Sequence, residues 1–246
     1  MLVFFLLGYL YVGFGSKPDY MVANVLFWGS VFVAIVVKLM SNLLETAKAR
    51  SIDIAEVLVG VIDSRDSNQD AHSRHVQNLT MVFYNHLPAH YRREINPVSL
   101  EYASLMHDVG KLGIPESILN KPGPLTEEEW KIIYQHPEIG VKILKPLHTF
   151  DGISDWILYH HERIDGNGYY KLPGKEIPLA SRIIAICDTY SAITTHRSYK
   201  EPKTHEEALQ ILRDVSGTQL DADLVKTFIA IPKSELIKCV PDSVRF

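Results

Sequence analysis

The feature that most constrains this chain is a long apolar run close to its start. Between Met21 and Met40 the only charged side chain is that of Lys38. A helix needs about 20 predominantly apolar residues to cross the hydrocarbon core of a bilayer. The run therefore predicts a transmembrane helix, with a buried core helix of a soluble protein as the alternative.

A second uncharged segment, Met1–Phe14, comes first, and Lys17–Asp19 separates the two runs as a turn. The first run lacks the basic residues that precede the apolar core of a signal peptide. We therefore predict a helical hairpin in the membrane over residues 1–40. Lys48 and Arg50 follow the second run, and their positive charge predicts that this end lies in the cytoplasm.

Beyond the hairpin the apolar pattern becomes amphipathic. Over residues 41–61, apolar side chains recur at three- and four-residue steps, with charged residues between them. That spacing is typical of a helix with one apolar face, so this segment is predicted to be a linker helix. Two uses are open for it: pairing with the same helix of a second copy in a homodimer, or packing on the domain that follows.

The remaining residues, 62–246, are predicted to form one helical domain. Ser99–His107 and Glu127–Gln135 are compact helical patterns, and Thr126–Glu129 and Thr204–Glu207 are capping boxes that begin helices. Prolines separate the helical patterns, and no stretch alternates between apolar and polar residues as a strand does. The fold class is therefore all-α, a helical bundle preceded by the hairpin.

Charge and cysteine content exclude two classes of protein. The formal net charge is −4, so a broad basic face for a nucleic-acid polymer is not expected. Cys187 and Cys239 are isolated thiols that form neither a disulfide framework nor a CxxC metal site. They fit a reducing compartment.

Histidine and aspartate residues in apolar surroundings indicate a metal site. Buried imidazoles and carboxylates need a partner, and together they suit Fe, Mn, Co, Ni or Zn. A carboxylate can bridge two cations, so a set of this size suits two ions. For any one of these residues the alternative is an ordinary hydrogen-bonded core position. The candidate ligands are His72, His107, Asp108, His136, His160, His161 and Asp188.

The motifs that contain these residues resemble the HD-GYP family, a branch of the HD phosphohydrolase superfamily. The matching stretches cover roughly residues 62–221 in order and spacing. They are His72-Ser73, HDVGKLGIPESILNKPGPLTEEEW (His107–Trp130), HPEIG (His136–Gly140), HHERIDGNGY (His160–Tyr169), GKEIPLASRIIAICD (Gly174–Asp188) and Arg197–Lys200.

The resemblance implies an HD-type helical bundle that hydrolyses cyclic di-GMP to the linear dinucleotide pGpG, to GMP, or to both. It implies a centre of two or three divalent cations, commonly Fe or Mn, with Asp108 catalytic and shared between two of them. One ion would take Asp108 with His72, His107 and Asp188, and the other would take it with His136, His160 and His161. Lys111 would lie on the same helical face as His107, if that helix continues, and would bind substrate and assist catalysis.

The family's substrate contacts match further positions. Tyr169 would stack on or hydrogen-bond to substrate, and Arg197 and Lys200 would bind phosphate or guanine. The signature loop contains Arg163, Asp165, Gly166, Gly168 and Tyr169, where glycines allow positive φ and close backbone approach. The alternatives are an ion pair between Arg163 and Asp165 that braces the loop, and simple packing for Tyr169.

Several positions depart from the family's pattern. Tyr170 replaces the proline of Gly-Tyr-Pro and is expected to leave the loop looser. Ser198 stands in the Arg-Pro-Tyr segment, Ser191 replaces a common aspartate, and Ala71 replaces a common glycine. Asn68 stands where members with a third metal carry glutamate, so two metals are expected rather than three.

Three functions therefore compete: an active cyclic-dinucleotide phosphodiesterase, a non-catalytic receptor for the dinucleotide or a partner protein, and a phosphohydrolase of another nucleotide. The predicted hairpin and the positive charges that follow it indicate a multi-pass membrane protein with a cytoplasmic catalytic domain, and the resemblance to a bacterial signalling family indicates the bacterial inner (cytoplasmic) membrane. A homodimer through the linker helix and a diguanylate-cyclase-type partner are possible associations of such a protein.

Overall fold

The computed structural model describes residues 7–8, 10–12, 14, 20–65, 71–195 and 201–241, without the side chains of residues 47–52, 148–149 and 151. Within these residues the chain is helical and contains no strand, only an isolated bridge between Ser216 and Leu220. The all-α prediction is therefore confirmed. Clustering of contacts divides the chain into two compact units, residues 1–54 and 55–246.

The first long helix, α1 (Tyr20–Arg65), contains the apolar run. Its segment Tyr20–Thr46 has a mean hydropathy of 2.1, and 11% of its most apolar window is buried. Among the described residues this is the one helix long and apolar enough to cross a membrane. Most of Met1–Phe14, the predicted first helix of the hairpin, lies outside the described residues, so the hairpin stays a prediction.

The second unit is built from short helices that two 3-10 turns interrupt. Several begin at the positions that the sequence indicates: the capping boxes at Thr126 and Thr204 are both formed, with each threonine hydroxyl accepting from the N3 backbone N–H. The elements after α1 are α2 (His72–His86), α3 (Ala89–Glu94), α4 (Pro97–Met106), a 3-10 turn (Val109–Gly113), α5 (Glu116–Leu119), α6 (Glu127–Ile133), α7 (His136–Leu144), a second 3-10 turn (His148–Ile153), α8 (Ser154–Leu158), α9 (Leu179–Thr194), α10 (His205–Asp214), α11 (Ala222–Ile229) and α12 (Lys233–Lys238).

The hydrophobic core of this unit holds α2 against α4 and α9. Phe83 of α2 meets Phe228 of α11 edge to face at 5.1 Å, and Phe228 meets Tyr190 of α9 at 5.3 Å. Leu100 and Ile183 have no exposed surface. Each fully buried side chain of this kind contributes about 1.5–3 kcal/mol. This packing fixes the start of α2, the end of α4 and the middle of α9, where His72, His107 and Asp188 lie.

Candidate metal centre and substrate cleft

Asp108 stands at the point where α4 ends and the chain turns. The α-helix stops at Met106, and Asp108 has φ −98° and ψ 7° before the 3-10 turn begins. The α-helix does not continue to Lys111, so the condition for Lys111 and His107 to share a helical face is not met. The tighter turn nevertheless brings Lys111 inward, and its Nζ lies 2.7 Å from Asp108 Oδ2.

On one side of Asp108 the structure gathers three histidines. His136 Nε2 lies 3.2 Å from Asp108 Oδ1, and His160 Nε2 lies 3.9 Å from the same oxygen. His161 completes the group, because one ligand atom from each of the four residues lies within 4.8 Å of every other. This spacing is short enough for one cation to contact all four.

On the other side of Asp108 lie His72 and His107, whose ligand atoms and an Asp108 oxygen are likewise within 4.8 Å of one another. Asp188 lies beside them, with its Oδ1 3.0 Å from His72 Nε2. The seven candidate ligands therefore converge on one place, with Asp108 common to two groups.

Backbone carbonyls orient three of the imidazoles. Nδ1 of His107 lies 2.8 Å from Ser104 O, Nδ1 of His136 lies 2.7 Å from Ile133 O, and Nδ1 of His160 bonds to Ile157 O. A carbonyl oxygen only accepts, so each Nδ1 carries the proton. When the imidazole is neutral, its Nε2 therefore carries a lone pair directed at the centre, as metal ligation requires.

The protonation states of most candidate ligands also suit cation binding. Burial lowers the pKa of His72 and His160, and lowers that of His161 to about 3, so these imidazoles stay neutral. Lys111 and His107 hold the pKa of Asp108 well below its usual range despite burial. His107 differs, because the charge of Asp108 raises its pKa against the effect of burial.

One buried atom tests whether the residues fit a metal. His107 has no exposed surface, and its Nε2 has no hydrogen-bond partner among the described residues. Its nearest acceptor is Asp108 Oδ2 at 3.4 Å, too far for a good hydrogen bond, so a cation is the ligand that would satisfy this buried nitrogen. Mixed imidazole and carboxylate donors around a shared aspartate fit two divalent transition-metal ions.

Gly110 allows the two halves of the centre to approach. A Cβ at this position would lie 2.5 Å from the Gly140 nitrogen and still closer to the His136 carbonyl oxygen. The 3-10 turn and α7 therefore pack backbone against backbone, which brings His136 to Asp108. The requirement for glycine here is close approach and not positive φ.

The signature loop is braced from within. Arg163 donates to Asp165 at 3.0 and 2.7 Å, which supports the ion-pair interpretation of these two residues. Gly166 has φ +74°, and a Cβ on Gly168 would lie 2.6 Å from Glu162 Cα, so the two glycines serve positive φ and close approach respectively.

Glu162 holds the far end of the same loop. Its carboxylate is buried and accepts from the backbone N–H of Tyr170 and, at 2.7 Å, from that of Leu172. A proline at position 170 has no N–H to donate. The backbone amide of Tyr170 thus supplies a restraint on the loop that proline cannot, which opposes the loosening expected from the loss of proline.

A cleft of about 820 Å³ opens above the candidate ligands. His160, His161 and Asp188 reach its surface, and Tyr169 lines its wall with its ring centroid 4.7 Å from that of His161. Tyr134 extends the aromatic wall outward, 4.4 Å from Tyr169. Arg197 and Lys200 lie outside the described residues, as does Asn68, so the roles suggested for them stay predictions.

Comparison with known proteins decides the family. A family model described as HD domain matches residues 38–224. The chain belongs to the HD domain family. The helical fold and the HD-GYP resemblance are both confirmed at this level.

Relatives and a solved structure agree with this HD domain assignment. The chain is 37% identical over 193 residues to a cyclic di-GMP phosphodiesterase of Vibrio cholerae, covering 73% of this chain and 39% of the relative. It is 32% identical over 226 residues to a 3'3'-cGAMP-specific phosphodiesterase of the same organism, covering 89% and 42%. It thus spans about two fifths of the length of these relatives.

The solved structure is that of a cyclic GMP-AMP-specific phosphodiesterase of Vibrio cholerae. It aligns with a TM-score of 0.55 at 18% identity, covering 78% of this chain and 52% of that one. This likeness concerns the fold alone.

Sequence reasoning missed several residues of this HD domain site. Tyr134 and Lys171 line the cleft but belong to no pattern that marks a binding residue. Glu162 follows two histidines in the sequence, and only its buried contacts indicate its role. The sequence marks Ser191 only as a replacement for a common aspartate, and its association with His72 and His75 depends on the packing of α2 against α9.

Proposed function

We propose that this chain is a metal-dependent phosphodiesterase that hydrolyses cyclic di-GMP to pGpG, to GMP, or to both. One observation carries the proposal: two groups of histidines share a buried aspartate, Asp108, and His160 and His161 of one group line a cleft. Two cations bridged by a carboxylate are a recurring arrangement in phosphoryl transfer. The cyclic di-GMP phosphodiesterase of Vibrio cholerae, 37% identical, supports this substrate.

The proposed cations are Fe or Mn, one held by His136, His160 and His161 and the other by His72, His107 and Asp188, with Asp108 common to both. When bound, such ions supply Lewis-acid polarisation of the phosphoryl group and neutralise charge that develops on its oxygens. The chain's task is to present neutral imidazoles and ionised carboxylates at fixed positions. The hydrogen bonds from Nδ1 and the effect of burial on the imidazole pKa values both support that task.

Lys111 and Tyr169 are the proposed substrate-binding side chains nearest to this centre. The Lys111 ammonium, 2.7 Å from Asp108, would hold a non-bridging phosphoryl oxygen next to the reacting group. Burial raises the pKa of the Tyr169 hydroxyl, so it remains a hydrogen-bond donor. Tyr134 adds an exposed ring at the mouth of the cleft, suited to stack on a nucleobase.

A second substrate has specific support. The 3'3'-cGAMP-specific relative matches 89% of this chain, a larger share than the cyclic di-GMP phosphodiesterase does. The two substrates differ in one base, so the choice between them depends on groups that contact that base. Arg197 and Lys200 are the residues proposed for such contacts, whereas Ser191 has no exposed surface and cannot contact a base directly.

The membrane part of the proposal rests on the helix Tyr20–Thr46. We infer a multi-pass protein of the bacterial inner membrane with residues 62–246 in the cytoplasm, and residues 41–61 as the linker. A homodimer through this linker and a diguanylate-cyclase-type partner are the associations proposed. Exposure of most of the helix's apolar side chains supports a lipid-facing segment.

The test is turnover by the purified full chain, loaded with Fe²⁺ or Mn²⁺ without oxygen and given cyclic di-GMP or 3'3'-cGAMP. Hydrolysis of cyclic di-GMP supports the proposal, and hydrolysis of 3'3'-cGAMP alone supports the second substrate. Tight binding without product would indicate a receptor instead.

Two variants assign the parts of the site. Asp108→Ala should lose at least one metal equivalent in elemental analysis, and full occupancy would remove its bridging role. Lys111→Ala should keep both ions and lose most turnover, and unchanged kinetics would exclude Lys111 from catalysis.

A further inference from the structure

A buried hydroxyl lies behind the candidate metal centre, between two imidazoles. Ser191 has no exposed surface. Its Oγ lies 2.8 Å from Nδ1 of His72 and 2.9 Å from Nδ1 of His75. His75 is itself buried, and its Nε2 has no hydrogen-bond partner among the described residues. The proposed metal ligand His72 is thus the end of a three-residue chain of hydrogen bonds.

This chain of hydrogen bonds arises because the residues on each of two helices are three positions apart. His72 and His75 are three residues apart on α2, and Asp188 and Ser191 are three residues apart on α9. Residues at this separation share a helix face. Because α2 packs on α9, one turn pairs His72 with Asp188 and the next sets Ser191 against both imidazoles.

The hydrogen bonds through Ser191 must all point in one direction. In the described part of the structure, Ser191 Oγ has hydrogen bonds to these two imidazole nitrogens and to no carbonyl oxygen. Its single proton is therefore donated to one Nδ1, and its lone pair accepts from the other. One histidine is protonated at Nδ1, and the other is not.

The state of His72 Nε2 decides which direction applies. With the ionised Asp188 as its hydrogen-bond partner and no cation bound, Nε2 must carry the proton, since a carboxylate only accepts. Nδ1 of His72 then accepts from Ser191, and His75 donates through Nδ1. A cation at His72 Nε2 requires the opposite: His72 donates through Nδ1, Ser191 donates to His75, and His75 carries its proton on Nε2.

We propose that Ser191 and His75 are positioning residues for His72, forming a hydrogen-bond chain that reverses when His72 binds a metal cation. Each imidazole keeps one proton in both states: His72 loses the Nε2 proton to solvent and gains one at Nδ1 from Ser191. Ser191 takes the Nδ1 proton of His75, whose Nε2 is protonated from solvent. The inference rests on the proposed metal centre but not on turnover or on the identity of the substrate.

The first measurement reads the tautomer of His75 directly. The full chain is labelled with ¹⁵N-histidine, and long-range ¹H–¹⁵N spectra are recorded without metal and with Zn²⁺, a diamagnetic ion that accepts imidazole and carboxylate ligands. We expect His75 to change from Nδ1–H to Nε2–H when Zn²⁺ binds. An unchanged His75 tautomer at full Zn²⁺ occupancy would overturn the reversal.

The second measurement is the Zn²⁺ affinity of matched serine variants. Ser191→Ala should weaken one of the Zn²⁺ equivalents about 10–100-fold, the usual effect of removing a group that orients a metal-binding histidine. Ser191→Thr, which keeps the hydroxyl, should restore most of the affinity.

Ser181→Ala is the control, because Ser181 is equally buried on α9 but donates to the Trp156 carbonyl, away from the centre. It should lose stability without losing Zn²⁺ affinity. Equal affinity in Ser191→Ala and the unaltered chain, or equal losses in Ser181→Ala and Ser191→Ala, would refute a positioning role. A chain that binds Zn²⁺ as expected yet hydrolyses no dinucleotide would count against the proposed activity alone.

Discussion

Substitution of Gly110 by alanine tests whether backbone packing builds the metal centre. The added Cβ would lie 2.5 Å from the Gly140 nitrogen and 2.7 Å from the His136 carbonyl carbon. Non-bonded heavy atoms need about 3.5 Å, so the Gly140 contact alone requires the 3-10 turn and α7 to separate by about 1 Å, and the closer His136 carbonyl oxygen requires more. The contact atoms belong to the backbone, which cannot rotate away as a side chain can.

The expected effect on metal binding follows from that displacement. Asp108 Oδ1 and His136 Nε2 lie 3.2 Å apart on either side of the same contact. Ligand distances in metal sites are held to about 0.2 Å, which is a fraction of the expected shift. Gly110→Ala should therefore lose the ion that Asp108 and His136 share.

Stability should fall as well. Overpacking a core contact costs about 1–3 kcal/mol, and the upper value corresponds to a decrease in Tm of about 6–12 °C for a domain of this size. The assay combines calorimetric unfolding of the full chain with elemental analysis after loading with Mn²⁺.

Two further glycines give a graded control. Gly140→Ala places its Cβ 3.2 Å from the Gly110 nitrogen and should cost less, whereas Gly60→Ala meets nothing within 4 Å and should be neutral or stabilising. A Gly110→Ala chain that keeps both ions and its Tm would refute the packing argument.

Three other predictions concern the loop, the start of α2 and pH. Glu162→Gln places an amide NH₂ against one of two backbone N–H donors and should cost about 1–3 kcal/mol locally. Hydrogen exchange of the backbone amides of residues 170 and 172 should become faster, and unchanged exchange would contradict this prediction. Ala71 has φ 55°, a left-handed conformation that costs a non-glycine residue about 1–2 kcal/mol. Ala71→Gly should therefore raise the free energy of unfolding, measured in urea, by up to about 1 kcal/mol, and a decrease would show that backbone strain at this position does not reduce stability. Burial lowers the pKa of His75 and His161 to about 3, so the unfolded chain binds protons that the folded chain does not, and the stability of the metal-free chain should fall as pH decreases from about 6.5. Urea unfolding at pH 7 and pH 5 measures this slope, which His75→Gln should reduce; stability that rises on acidification would contradict the assignment.

Local sequence patterns predicted much of the secondary structure. Both capping boxes form, and α4 and α6 lie within one or two residues of the helical patterns that indicated them. These features depend on interactions between residues close together in the sequence, so they can be predicted from the sequence alone. Lys111 shows the limit of this reasoning, since the helix ends at Met106 and a 3-10 turn brings the lysine to Asp108 instead.

The sequence by itself determined which side chains are available for the centre: imidazoles and carboxylates, in a helical domain, after an apolar segment long enough to cross a membrane. Only the tertiary structure decided how they are used. Asp108 faces both groups, Glu162 accepts from the amide of Tyr170, and Ser191 lies between two imidazoles. These contacts all depend on distances between segments of the chain that the sequence alone does not give. Those distances are set by packing of the helices, to within fractions of an ångström that no local pattern encodes.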